Sequence, residues 1–99
     1  MKLKVVKHKY KTIKNIEGKV LRKEYTYTVA FKSGFYWYHL RFRGISSDPR
    51  RRAREILQNG IVPFQAKLTN ESATHFPIEG DADAVMNDIQ NNPDKYILM

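Results

Sequence analysis

The sequence predicts an α+β fold: an antiparallel β-sheet of three to five strands with two α-helices packed on one face, in one domain spanning residues 1–99. Three observations lead there. Apolar and polar residues alternate on both sides of a turn signal between Tyr25 and Arg43. Two later segments combine helix-start signals with helical spacing of apolar residues. A chain of 99 residues, 41% hydrophobic and 12% aromatic, suits one core, because half that length could not bury enough apolar surface to offset its conformational entropy.

Taken in order, Lys2 to Lys14 reads as a strand with lysines at alternate positions, which suits a sheet edge because charge there blocks pairing with other chains. It joins the next strand through Asn15-Ile16-Glu17-Gly18-Lys19. A three-residue loop with Gly18 in the left-handed position directs Leu3, Val5 and Ile13 to the core. A two-residue loop at Glu17-Gly18 would instead direct Val6, His8 and Tyr10 inward and set Lys7, Lys9 and Lys11 opposite. The first is preferred because it buries three aliphatic side chains. In the next hairpin, Lys32-Ser33-Gly34-Phe35 reads as a two-residue turn with Lys32 opposite Phe35. That register gathers Tyr25, Tyr27, Val29, Phe31, Tyr36, Tyr38, Leu40 and Phe42 on one side, and Trp37, His39, Arg41 and Arg43 on the other.

After Gly44, the oxygen-bearing run Ser46-Ser47-Asp48 followed by Pro49 predicts a helix reaching about Asn59, stopped by Gly60, with Ala53, Ile56 and Leu57 as its apolar stripe. Ile61 to Thr69 alternates as a fourth strand, and Pro63 points to an edge or a bend. Asn70 to Gly80 reads as loop. A second helix from Asp81 to about Asn91 has acids in its first turn, where the helix dipole favours them, and presents Ala82, Val85, Met86 and Ile89 to the core. Pro93 ends it, and Tyr96 to Met99 is a short apolar tail suited to a last strand.

Charge is divided unevenly. Residues 1–54 hold 16 basic and 3 acidic side chains, and residues 55–99 hold 2 basic and 7 acidic, for a formal total of +8. A positive field over one surface attracts polyanions and speeds their encounter, so nucleic acid, DNA or RNA, is the leading partner, with an anionic membrane surface or an acidic protein next. The chain has no cysteine, hence no disulfide framework or thiolate nucleophile, which favours an intracellular or chemically harsh setting. No run of 18 apolar residues or signal-peptide core is present, and no membrane partner is expected.

No Walker loop, GxGxxG, HExxH, GxSxG or CxxC occurs, and no cofactor is implied. His8, His39 and His75 are far apart in sequence, and a lone histidine is more often packed or solvated than a ligand. Glu71 and His75 share a spacing of four and nothing more. Asp48, Glu55 and Lys67 approximate a metal-dependent nuclease pattern, but Gln65 stands where a second metal-binding carboxylate belongs. A non-enzymatic protein is therefore expected.

Two basic features stand out. The sheet face with Trp37, His39, Arg41 and Arg43 interleaves aromatic and cationic side chains, an array able to stack bases while guanidinium groups take phosphates. The same face buried beneath helices would make Trp37 a core residue instead. Arg50, Arg51, Arg52 and Arg54 crowd a helix start, where the dipole opposes them, so local stability does not account for them and a phosphate backbone would. An acidic Glu79 to Asp88 segment lying over these arginines would remove that site.

The chain, cysteine-free and lysine-rich at its start, with FYWYHLRFRG followed by SSDPRRRAREIL, resembles the small proteins encoded by filamentous and rod-shaped viruses of hyperthermophilic archaea. The resemblance implies a heat-stable, acid-tolerant α+β protein acting inside an infected cell, in the host cytoplasm and near a viral DNA genome. It supplies no site residues. Beside the nucleic-acid reading stands a second one, a protein-interaction or structural module that holds a host or viral protein, or a second copy of itself, through a strand edge or the aromatic face.

Overall fold

The computed structural model describes residues 2–99. Its five strands form one sheet in the order β1-β2-β3-β4-β5: β1 is Leu3–Lys14, β2 Val20–Ser33, β3 Tyr36–Phe42, β4 Val62–Lys67 and β5 Tyr96–Leu98. The first four run antiparallel to their neighbours, and β5 lies parallel to β4. Helix α1, Arg52–Gln58, and helix α2, Glu79–Asn91, complete the α+β architecture. Ala53 and Ile56 of α1 and Ala82, Val85 and Ile89 of α2 join Val29, Leu40, Phe42, Val62, Phe64, Phe76 and Tyr96 in one core cluster. Both helices thus cover the face predicted to be apolar and leave the Trp37, His39 and Arg41 face without a helix. Among the described residues, no helix is long and apolar enough to cross a membrane.

The β2–β3 hairpin keeps the predicted faces but slides by two residues. Ser33 pairs with Tyr36 and Phe31 with Tyr38, so the loop is Gly34-Phe35 rather than Ser33-Gly34. Gly34 has φ +62° and occupies the first loop position, where a two-residue hairpin can demand glycine. The predicted register would have placed Ser33 there. Phe35 consequently sits on the turn, 96% exposed, while the Phe31 and Tyr38 rings stack with centroids 5.7 Å apart.

Pairing between β2 and β3 stops after Ala30↔His39. The strands diverge, and residues 74–76 fill the gap, where the sequence predicts only loop. Tyr27 and Phe76 exchange backbone hydrogen bonds of 2.9 and 2.7 Å, Thr74 N–H donates to the Leu40 carbonyl, and Phe42 N–H donates to the Thr74 hydroxyl at 2.9 Å. Phe76 drops its ring, fully buried, into the core.

Helix α1 is shorter than predicted. Asp48 folds the chain into a turn, its carboxylate accepting the Arg50 N–H at 3.0 Å and its carbonyl the Arg51 N–H, and the helix begins only at Arg52. It ends through an extended Asn59, not a left-handed Gly60, and Leu57 faces solvent. In β4, Pro63 does not mark an edge: its carbonyl accepts from Arg43 N–H at the end of β3, and β5 covers the strand's other side.

Near the end of α2, Asp88 accepts hydrogen bonds from Lys95 Nζ, Tyr96 OH and Asn92 Nδ2. Burial alone would raise the Asp88 pKa, but the Lys95 and Tyr96 hydrogen bonds outweigh it and hold the carboxyl below its ordinary value. Burial, reinforced by Asp88, pushes the Tyr96 phenol upward. A carboxyl with a depressed folded-state pKa stabilises above its unfolded pKa and loses that contribution as pH falls below about 4. Asp88→Ala should remove the acceptor shared by these three donors, leaving Lys95 only the Leu57 carbonyl, and lower stability by about 1–3 kcal/mol, read by urea unfolding.

The outer part of the β1–β2 hairpin stands clear of the core. The molecule measures 52 × 31 × 19 Å with a radius of gyration of 14.7 Å, above the about 13 Å of a compact chain this long. Asn15 pairs with Lys19 around Ile16-Glu17-Gly18, and Gly18 has φ +81°, the predicted three-residue loop. Two irregularities follow: Leu21 is skipped between Lys14↔Val20 and Ile13↔Arg22, and Tyr10 between Lys11↔Glu24 and Lys9↔Tyr25. They offset each other, so Leu3 and Val5 reach the core as predicted. Ile13, lying between the two bulges, is placed opposite Arg22 and does not.

Candidate nucleic-acid interface

The predicted site residues are divided between the helix-free face of the sheet and the segment that leads into α1, and Arg41 and Arg52 line one shared depression. Arg50 and Arg51 lie on the turn before α1 rather than in its first turn, Arg52 and Arg54 in α1, Trp37 and Arg41 on β3, and Arg43 just past that strand. Arg41, Arg43, Arg50 and Arg54 are exposed and, among the described residues, have no carboxylate partner. Arg51 has a loose pair with Asp48 at 3.8 Å, both side chains well exposed, an arrangement of little energetic weight. The α2 acids do not neutralise the arginines: Asp88 is committed to Lys95 and Tyr96, and among the described residues Glu79, Asp81 and Asp83 form no ion pair.

Arg52 differs from the others. Half-buried, it donates from Nη1 to the His75 carbonyl at 2.8 Å and from Nη2 toward the Ser47 carbonyl at 3.4 Å. Its fork ties the arginine turn to the segment inserted between β2 and β3. Arg52 also lines two depressions. One, about 730 Å³, runs between the arginine turn and the root of the β1–β2 arm and is bounded by Tyr10, Tyr25, Thr26, Pro49 and His75. The other, about 370 Å³, includes Arg41, Ser46 and Thr74.

Trp37 is half-buried, with Lys4 Nζ 4.1 Å from its ring centroid. A base stacking on that side would have to displace the ammonium, so cation–π attraction competes with stacking there.

His8, His39 and His75, distant in sequence, meet on this face, with ring centroids 5.5 Å apart for His8–His39 and 5.3 Å for His8–His75. The Thr28 hydroxyl bridges His8 Nε2 at 2.9 Å and His39 Nδ1 at 2.8 Å. One hydroxyl has one proton, so it donates to one ring and accepts from the other. His75 bonds Thr26 through Nδ1 at 2.7 Å and the Asn70 carbonyl through Nε2 at 2.6 Å. Sequence reasoning missed this cluster because His75 arrives on the unforeseen insertion. No group of three or more histidines, cysteines or carboxylates among the described residues is arranged to hold a metal ion. Asp48 and Glu55 bond the backbone amides of Arg50 and Ser46, while Gln65 and Lys67 lie opposite Arg41 and His39.

Burial lowers the pKa values of His8 and His39; the positive charge of His75 adds to both, His39 itself to His8, and Lys4 to His39. Near the ordinary value of 6.5, the unfolded chain therefore binds more protons than the folded one. The sign follows: the contribution of neutral imidazoles is present above about pH 6.5, falls as pH drops through that value, and levels once the folded rings also titrate. Thermal melts between about pH 8 and pH 5 should show the decline, and His39→Gln should flatten it.

No protein family, curated protein or solved structure matches this chain.

Proposed function

We propose that this protein binds nucleic acid and does not act on it as an enzyme. The observation that carries the reading is the exposure of Arg41, Arg43, Arg50 and Arg54 without carboxylate partners among the described residues, in a half of the chain with 16 basic and 3 acidic side chains. Holding uncompensated cations close together costs energy through repulsion, and a polyanion relieves it. Arg50 and Arg51 offer their forks from the hydrogen-bonded turn at Asp48, and Arg41 and Arg43 offer theirs from the end of β3. Such contacts position a phosphate backbone without reading bases. The resemblance to archaeal viral proteins agrees with a role at a viral genome.

Fluorescence-anisotropy titrations of labelled single- and double-stranded DNA and RNA test the reading. The logarithm of affinity should fall linearly with the logarithm of salt concentration, and each contacting arginine removed should shrink the slope by about one. A second reading has its own observation: β5 ends the sheet with Ile97, Leu98 and Met99 exposed, an open edge suited to adding a strand from a partner or a second copy. Binding of that kind would respond little to salt.

A further inference from the structure

We infer that the β1–β2 arm enters the major groove of B-form duplex DNA, with Ile16 at its tip against thymine methyl groups; this deepens the nucleic-acid reading and rests on it. Three features of the arm lead to this ligand.

Its charge is uncommitted. Between Lys9 and Glu24 the arm has six basic and two acidic residues. Glu24 is engaged by Arg22 at 3.1 Å and Lys11 at 3.7 Å. Lys9, Lys14, Lys19 and Lys23 are exposed and, among the described residues, form no ion pair. They occupy both strands, so a phosphate rail on either side of the ribbon meets lysines.

Its shape selects the groove. A two-stranded ribbon, with strands about 5 Å apart plus side chains, fits a major groove about 12 Å wide, whereas the deep, narrow major groove of A-form RNA excludes it. The six strand residues from Lys9 to Lys14 reach about 20 Å, more than the groove's depth of about 8.5 Å. The bulges at Tyr10 and Leu21 add right-handed twist.

Its tip and root suit the same partner. Ile16 is fully exposed at 105% and serves no part of the core, which a binding contact explains and stability does not. At the root, the 730 Å³ groove joins Tyr10 and Tyr25 of the arm to Pro49 and Arg52 of the arginine turn. Arg50 and Arg51 then stand beside a duplex whose groove the arm occupies. An anionic membrane is the competing partner for a basic hairpin with apolar residues, but lysines on both strands suit two phosphate rails better than one flat surface.

The test compares four proteins on one duplex sequence. The proteins are the unaltered chain, the arm variant Lys14→Gln/Lys19→Gln/Lys23→Gln, the tip variant Ile16→Ser, and Arg50→Gln/Arg51→Gln outside the arm. All of these changes lie on exposed side chains. The ligands are a DNA duplex, the same duplex with deoxyuridine for thymine, an RNA duplex, and phosphatidylserine vesicles. The unaltered chain should prefer DNA to RNA duplex by about tenfold or more, and the arm variant should lose that preference with about three units of salt slope. Ile16→Ser should weaken thymine-containing DNA about fourfold, the weight of one buried methyl group, and leave deoxyuridine DNA unchanged. Equal affinity for RNA and DNA duplexes, tighter binding to vesicles, displacement by a minor-groove drug, or an arm variant as tight as the unaltered chain each overturns the arm inference. If Arg50→Gln/Arg51→Gln still loses affinity in those cases, the general nucleic-acid reading survives; if no nucleic acid binds with a salt slope, that reading fails as well.

Discussion

Phe76→Ala should destabilise the protein by about 3–5 kcal/mol, the cost of emptying a fully enclosed aromatic site. The size follows from where the ring sits. Residues 74–76 bridge the gap left where β2 and β3 part, and the Phe76 ring, 0% exposed, lies 6.3 Å from that of Phe42. Neighbours cannot close such a cavity without separating the backbone bonds between Tyr27 and Phe76, so relaxation is limited. Chemical unfolding would measure the loss, and a value under about 1 kcal/mol would show that the segment is an ornament on a sheet stable without it. Thr74→Val, which removes the hydroxyl acceptor from the buried Phe42 N–H, should cost a smaller amount, about 1–3 kcal/mol.

The second large effect concerns binding. Arg50→Gln/Arg51→Gln/Arg54→Gln should reduce the salt slope for nucleic acid by about three and weaken binding on the order of a hundredfold at physiological salt, since each phosphate contact releases close to one counterion. These side chains support no core residue, so melting temperature should hold. Arg52→Gln is the matched contrast. Its guanidinium is spent on the His75 and Ser47 carbonyls, so its loss should reduce stability and leave the slope nearly unchanged. The reverse pattern, with Arg52 dominating the slope, would assign the turn's cations the wrong roles.

The reasons some of this was legible and some was not are physical. Helix α2 announced itself through Ala82, Val85, Met86 and Ile89, a spacing that survives any tertiary context, and Asn92 with Pro93 stops it where expected. Face assignment in β2 and β3 was equally secure, because a slip of two residues preserves alternation; the register itself was not, because it hangs on which loop position Gly34 occupies. The sheet's central surprise left no local trace. Thr74-His75-Phe76 is too short to display a period, and Pro77 beside it reads as loop, so neither the Phe76 plug nor the gathering of three histidines could be foreseen. Arginine exposure was a matter of which elements cover which face, decided by packing over long sequence separations. The pairing of Ile13 with Arg22, away from the core, depends on two bulges, and a bulge is a property of paired strands that one strand's pattern does not reveal.

The bulges at Tyr10 and Leu21 enclose a stretch that can be altered without disturbing what lies inward of them. The ladder from Leu3↔Phe31 to Lys9↔Tyr25 keeps its register so long as both bulges remain, because the one offsets the other. The Ile16-Glu17-Gly18 loop is therefore a permissive position for a foreign peptide, for a protease nick, or for new chain ends in a circular permutant. A molecule cut there should remain folded, letting the ribbon be shortened or exchanged while the rest of the structure serves as an unchanged handle.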